Sequence, residues 1–428
     1  MEAVSPERCV RAQLNVRNKQ LFAKGFAISL SRFKRIMLLS VGKASAPMLV
    51  AVSDILRGFD VYGVLVAPRN EAVGVVDERI EVFRSGHPVP DRQGMIAAQH
   101  VIDAVSRMRR EELLICLISG GASAMLPAPP DGISLADLRK LTTQLIMSKA
   151  TIHEINTVRR HVSKLNGGRL VKLCRASEIL SLIISDVPRD PLPDIASGLT
   201  VEDPSSYKDA VEVLKSHNLW ASIPKSARDH LSRGVRHRIP DTPKPGDPAF
   251  LRVHNLIIAG NRTACIAARR SLTAKKVTSV TLSSSAEMDA QEMGRFLASL
   301  ATEHERSNGS VPRAEAFILG GETTVEVKGR GMGGRNQETA LWAVDKIAGL
   351  EGVAIATLGT DGIDGSSTAA GALTDGDSAR RASEKRMNPP TFLSRNDSYH
   401  FFRRLGDNII TGPTGTNVGD LYLIVAHE

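Results

Sequence analysis

The chain has 428 residues, of which 42% are hydrophobic and 24% charged. That balance belongs to a globular polypeptide and excludes a disordered one, and the length predicts two or three domains. No stretch approaches the roughly 18 apolar residues that span a bilayer, which excludes a membrane protein. Lys plus Arg is 55 against 46 for Asp plus Glu, a net charge of +9. Such a surplus fits an anionic small-molecule substrate and equally a basic surface. Nucleic acid is disfavoured, because the charges form no long block and aromatics, at 4%, are too few for base stacking.

Cys9, Cys116, Cys174 and Cys265 lie far apart, with no CxxC and no Cys–His spacing. A disulfide framework or structural zinc site is therefore not expected, and a reducing compartment is favoured. The N-terminus mixes Arg and Lys with Glu2 and Glu7 and has no apolar core of a signal peptide. The expected location is cytoplasmic. The basic N-terminus makes a mitochondrial presequence the alternative, although the first strand begins by about Ile36 and leaves little chain to cleave.

In chain order, apolar runs end abruptly in small or polar residues and helical patterns follow. Ile36–Ser40 leads into Gly42-Lys43-Ala44-Ser45, and Leu113–Ile118 into Ser119-Gly120-Gly121-Ala122-Ser123. Leu180–Ile184 leads into Ser185-Asp186, Leu256–Ala259 into Gly260-Asn261, and Val353–Leu358 into Gly359-Thr360-Asp361. Runs rich in Leu, Ile and Val that do not alternate are expected for strands buried on both faces. Ser45 followed by Pro47 predicts a helix start, and Ser134-x-x-Asp137 and Thr151-x-x-Glu154 read as capping boxes. The alternation predicts a parallel α/β sheet with ligands beyond the carboxyl ends of its strands.

Residues 239–250 contain four prolines and are expected to be a linker. The domains predicted are 1–240 and 251–428. In the second, Ala316–Lys328 reads as a hairpin turning at Gly320-Gly321 in a mixed sheet.

Several loops carry candidate chemistry. Lys43, between a buried strand and a helix start, is placed to reach phosphate oxygens; an ordinary solvated lysine is the plainer reading. Ser119, Gly120, Gly121 and Ser123 offer closely spaced N–H groups, or a merely close-packed turn; the pattern is not the GxSxG of a serine nucleophile. Gly329-Arg330-Gly331-Met332-Gly333-Gly334 formally matches GxGxxG, but the preceding strand is polar and alternating, which is the wrong context for a dinucleotide fingerprint. It reads instead as a flexible turn, or as an anion loop whose amides join the following helix N-terminus. Arg335 adds a two-pronged donor there. Loop carboxylates Asp186, Asp190, Asp194, Glu322, Asp361 and Asp364 either cap turns or serve a phosphate site by holding Mg²⁺ or accepting a hydroxyl proton. Of these, Asp186 and Asp361 follow apolar strands most closely. His87, His153 and His161 show no metal spacing and read as solvated or satisfied within the core. Thr411–Asn417 is a tight connection or a ligand wall. Together these parts suit phosphoryl transfer better than hydrolysis or redox chemistry.

The sequence resembles the glycerate kinases of the MOFRL type. The stretches that carry this are VGKASAPM (41–48), LISGGASAMLPAP (117–129), TIHEINTVRRHVS (151–163), IISDVPRD (183–190) with DIASGLTVEDP (194–204), LGGETTVEVKGRGMGGRNQE (319–338), GTDGIDGSSTAAGA (359–372), NDSYHFF (396–402) and TGPTGTNVGDLYL (411–423). The LPAP stretch and the chain's ending look most like the animal branch. The resemblance implies an N-terminal Rossmann-like α/β/α domain and a smaller C-terminal mixed α/β domain. It also implies phosphorylation of D-glycerate by ATP with Mg²⁺, with 2-phosphoglycerate favoured, in serine, glyoxylate or fructose breakdown. A hydroxypyruvate reductase using NAD(P)H is the alternative, since some relatives carry that name. Lys43, Arg335, Asp186 and Asp361 are the expected catalytic residues. Ser119, Gly120, Gly121, Ser123, Asp190, Asn261, Glu322, Gly334, Asn336, Thr360 and Asn417 are expected to bind substrate or nucleotide, with Asp361 and Glu322 at the metal. The expected partners are small molecules and a second copy of the chain, with no nucleic acid and no membrane. Departures from the family pattern are Ala122 and Arg189 at usual glycines and Asn166 at a usual lysine.

Overall fold

The computed structural model describes residues 2–71, 73–74, 77–306 and 315–426. The chain divides into two compact units. One comprises residues 6–185 and 190–258; the other comprises the N-terminal residues to Ser5, a short insertion at Asp186–Arg189, and residues 259–428.

The first unit is built on a sheet of six strands: β1 (Arg35–Val41), β2 (Val61–Pro68), β3 (Ile80–Ser85), β4 (Glu112–Ile118), β5 (Glu178–Ile184) and β6 (Val253–Ala259). Their order across the sheet is β3-β2-β1-β4-β5-β6, and the pairs from β3 through to β5 are all parallel. This is the doubly wound order, in which the chain reverses direction between β1 and β4 and opens a crevice at the carboxyl ends of those strands. Burial on both faces explains their apolar composition: all of β4 is buried, and β1 and β5 are buried except at their first residues. Helices α1 (Ser45–Ile55), α2 (Arg92–Arg107), α3 (Leu135–Met147) and α4 (Ile152–His161) follow the strands or join them. The capping boxes of Ser134 with Asp137 and of Thr151 with Glu154 both form, which sets the starts of α3 and α4. Leu138, Leu141 and Leu145 of α3, Ile155 and Val158 of α4, and Val162 just after it share one core with Tyr207 and Leu231.

The strand expected to open the C-terminal part, β6, instead lies beside β5 and closes the first sheet. The chain passes between units at Ile258/Ala259 rather than within residues 239–250. The proline-rich run is a strap along the first unit: Asp203 donates its N–H to the carbonyl of Pro243, and His161 contacts Asp241 at 3.0 Å.

The second unit has the strands β7 (Ser279–Asp289), β8 (Ala316–Thr324), β9 (Val353–Gly359), β10 (Gly371–Asp375), β11 (Asn408–Ile409) and β12 (Asp420–Ala426), in the order β7-β8-β12-β9-β10-β11. The sheet is mixed: β7 and β8 are parallel and the other pairs antiparallel. Helices α5 (Asn261–Ala274), α6 (Ala290–Arg306) and α7 (Arg335–Val344) accompany it, and Met293, Leu297, Phe317, Leu319, Tyr422 and Ile424 form a core. Two expectations change here. Ala316–Thr324 is one strand, not a hairpin, because Gly320 and Gly321 pair with Leu421 and Asp420 on β12 and stay in the ladder. β9 lies between antiparallel neighbours and alternates in burial, so its apolar run does not mark a parallel strand buried on both faces.

Candidate active site

In the first unit the loops after β1 and β4 lie side by side at the point where the strand order reverses. The Lys43 N–H donates to the Gly120 carbonyl at 2.9 Å, and the Ala44 N–H donates to Ser119 Oγ at 2.9 Å. Gly42 has φ +120° and a side chain there would strike Ser119, whose Oγ lies 2.3 Å from the position a Cβ would take. Only glycine lets the two loops approach this closely. Gly121 adopts the left-handed conformation, φ +85°, immediately before the short helix Ala122–Met125. The N–H groups of Gly120, Gly121, Ala122 and Ser123 have no acceptor among the described residues. Gly120 and Ala122 are buried, and buried donors without partners are costly unless a ligand supplies the acceptor.

Two cations border these amides. Lys43 and Arg159 are both half-buried, and neither side chain has a hydrogen bond or ion pair among the described residues. His87 sits at Gly121, with Nε2 3.0 Å from where a Cβ would be. Its ring reaches solvent but is crowded by protein; that crowding, with Lys43 and Arg159 nearby, lowers its pKa to about 4. Burial depresses the Arg159 guanidinium as well, and no carboxylate offsets it. Unbalanced positive charge beside free amides is an anion site in physical terms.

A buried polar network braces this end of the unit. Arg160, fully buried, pairs with Asp194 and Asp203 at 3.0 Å each. Asp194 also contacts His153 Nδ1 at 2.9 Å, and the Asn156 side chain donates to its carbonyl. Ser197 donates to Asn156, and Ser123 shares a hydroxyl contact with Ser197 at 2.8 Å. The network holds Ala196 and Ser197 at positive φ, where non-glycine residues are strained. Arg189 and Asp190 also have positive φ, which is the backbone reason a glycine suits position 189; Ala122, by contrast, is helical and unstrained. Asn166 is buried, and its Oδ1 has no partner.

In the second unit Arg335 opens α7 and is held by acids. It forks onto Asp420, with Nε donating to Oδ2 at 2.6 Å and Nη2 to Oδ1 at 3.1 Å, while Nη1 donates to Glu322. Burial opposes its charge, but Asp420 and Glu322 more than compensate and keep it firmly cationic. Burial, with Asp420 and Asp186 nearby, raises the Glu322 carboxyl above its usual range despite Arg335. Asp364 caps the same helix, accepting from the Asn336 N–H at 3.0 Å and the Gln337 N–H at 2.8 Å. Burial pushes its pKa up to about 7 against those two donors. The glycine-rich loop before α7 is likewise satisfied from within. Lys328 and Gly329 donate to Asn396 Oδ1, Gly331 to the Arg395 carbonyl, Met332 to Asp397 and Gly333 to Ser366. Of the loop and the helix start, only the N–H groups of Arg330, Gly334 and Arg335 have no acceptor among the described residues, so most of the expected anion loop is occupied by the protein's own acceptors.

Several expected binding residues turn out to brace the fold. The Asn261 side chain donates to the carbonyls of Val418 and Asp420, Thr360 bridges Gly419 and Val418, and Asn417 accepts from the Gly419 N–H. Asn336 is buried against Asp364. Asp361 is half-buried, and one of its oxygens accepts from the Ile363 N–H. Among the described residues no group of three or more His, Cys, Asp or Glu is arranged to hold a metal, and Glu322, expected at a metal, is taken by Arg335. The sequence gives Arg159 and Asp420 no role and reads His87 as solvated or satisfied within the core, whereas the structure sets His87 beside Gly121. Arg159 stands next to the buried Arg160, and Asp420 heads an otherwise apolar strand, as Glu112 and Glu178 also do, so the sequence does not set it apart.

Residues 1–232 match the family model described as a domain of unknown function, DUF4147, and residues 315–420 match the MOFRL family. The chain is 36% identical to a glycerate 2-kinase of Pyrococcus horikoshii, over 99% of this chain and 94% of that protein. It is 32% identical to a glycerate kinase of Rattus norvegicus, over 92% of this chain and 85% of that one, so the animal-like motifs do not bring higher overall identity. A crystal structure of glycerate kinase from Thermotoga maritima superposes with a TM-score of 0.84 at 34% identity, covering 100% of this chain and 96% of that one. With both domain models matched in order and relatives of this identity along its whole length, the chain belongs to the glycerate kinase family of the MOFRL type.

Proposed function

We propose that the chain transfers the γ-phosphoryl group of ATP to D-glycerate, with 2-phosphoglycerate as the favoured product. The names of its relatives support a glycerate kinase. The observation that carries the chemistry is the set of unpaired amides at Gly120–Ser123 bordered by the unpaired Lys43 and Arg159. Phosphoryl transfer asks the protein chiefly for positioning and for neutralisation of charge on the phosphoryl oxygens. Lys43 and the loop amides do this for the transferring group, and Arg159 holds a further oxyanion of phosphate or carboxylate.

Arg335 has N–H groups left after binding Asp420 and Glu322 and serves the substrate carboxylate or the γ-phosphate. As the glycerate hydroxyl oxygen bonds to phosphorus and the bond to ADP breaks, the hydroxyl proton passes to a carboxylate. Asp361 is less committed to other groups than Glu322, which Arg335 takes, since among the described residues its side chain accepts only from the Ile363 N–H. Mg²⁺ in nucleotide sites takes one or two carboxylates and the phosphates rather than a protein cage, and it would supply charge neutralisation here. Asp361 suits such a role better than Glu322. The buried cysteines Cys116, Cys174 and Cys265 form no disulfide, which supports a reducing compartment such as the cytoplasm.

The test is purified protein with Mg-ATP and D-glycerate followed by ³¹P NMR. A phosphomonoester signal and ADP are expected, and proton coupling identifies the hydroxyl modified. Oxidation of NADH with hydroxypyruvate in the absence of ATP, and no phosphoester, would overturn the reading in favour of a reductase.

A further inference from the structure

The amino ends of β4, β5 and β6, neighbours in the sheet, are each preceded by arginine: Arg109 and Arg110 before Glu112, Arg175 before Glu178, and Arg252 before Val253. The topology thereby gathers four arginines around one concavity of about 720 Å³, and no carboxylate lines it. It opens at the edge of the sheet opposite the Lys43 loop, about 20 Å away along strands of seven residues. Arg252 is explained by the fold, since it donates to the carbonyls of Val171, Cys174 and Ala176 where a short helix ends. Arg109, Arg110 and Arg175 are not. They are exposed, and their side chains have no hydrogen bond or ion pair among the described residues. The neighbouring acids are engaged elsewhere: Glu111 with Lys34, Glu112 with Tyr62 and the Arg109 N–H, and Glu178 with His254.

Four like charges in one hollow repel, and a counter-anion bound among them relieves the repulsion that solvent and salt leave unscreened. Guanidinium forks suit phosphate oxygens, and the volume suits a small molecule rather than a macromolecular surface. We propose that this concavity is a second ligand site, distinct from the phosphoryl-transfer site, that binds a small molecule bearing several phosphate charges. The proposal is independent of the kinase reading.

Titration calorimetry of the full chain without Mg²⁺ tests it, using sodium tripolyphosphate in one arm and ATP in the other. A binding component that survives Lys43→Ala is expected to weaken at least tenfold, to the order of losing one or two charge-assisted hydrogen bonds, in Arg110→Ala/Arg175→Ala. Heat with both titrants identifies a nucleotide site; heat with tripolyphosphate alone identifies a bare polyphosphate site. The kinase turnover of the double variant should be unchanged. Because the two side chains are exposed and unpaired, the variant should melt as the wild type does, and Arg110→Gln/Arg175→Gln repeats the test with bulk retained. Isotherms of either double variant that superimpose on wild type, or loss of all heat in Lys43→Ala, would overturn the proposal.

Discussion

The chain carries two glycine-rich loops that look alike as sequence and behave oppositely as structure. Ser119–Ser123 leaves its amides open beside Lys43 and Arg159. Gly329–Gly334 spends four of its six amides on Asn396, Asp397, Arg395 and Ser366, and the helix after it is capped by Asp364. Glycine spacing alone therefore does not make an anion loop. What decides is whether a nearby segment of the same chain already supplies the acceptors.

The contrast can be broken most directly at Lys43. Lys43→Ala should lower kcat by about 100-fold or more, as loss of a donor to the transition state does. Steady-state rates near wild type would remove the lysine from the mechanism. Arg159→Ala should follow, with kcat/KM down by roughly tenfold to a hundredfold and partial recovery in Arg159→Lys. Whether KM rises for glycerate or for ATP tells which oxyanion it holds.

The other loop should respond in stability rather than in catalysis. Gly334→Ala pushes a methyl to within 2.4 Å of Asp364 and should cost about 1–3 kcal/mol in chemical denaturation, with KM for both substrates unchanged. A change in KM with unaltered stability would reverse the assignment of the two loops.

His87 gives a pH test of the open loop. Its folded pKa of about 4 lies below the ordinary 6.5, so the stability it contributes is fully present above 6.5 and is lost as pH falls towards 4. An anion bound beside it raises that pKa, so anion affinity should tighten as pH falls from 7 towards 5, and His87→Asn should flatten the trend. Calorimetric titrations with inorganic phosphate across that range read it out. The smallest effect is expected at Arg189, where φ is +65°. Arg189→Gly should stabilise the unit by about 1 kcal/mol, measured as a shift in the denaturation midpoint.

Much of the scaffold was legible in the sequence because its signals are local. The capping boxes at Ser134 and Thr151, the helix start at Ser45 and the apolar runs of β1, β4 and β5 each depend on residues within a few positions. What was not legible depends on distant partners. The Gly320-Gly321 pair reads as a turn until β12, about a hundred residues later, claims it for the ladder. The capping of α7 needs Asp364, and the fork of Arg335 needs Asp420. Arg159 and Arg160 are adjacent and chemically identical, yet one is buried in a salt-bridge network and the other is left open. Only the packing of α4 against the 193–205 segment separates them.

The ion triad of Arg160, Asp194 and Asp203 also bears on how this protein can change over time. Each member is at least nine-tenths buried, so replacing Arg160 leaves two buried carboxylates without their cation, at a cost of about 3–5 kcal/mol, whereas replacing one aspartate leaves a neutral pair. A lineage can therefore abandon Arg160 only by altering both aspartates almost at once. Drift in the 193–205 segment should be confined to its solvent-facing residues, while Arg160 is inherited with at least one of its aspartates.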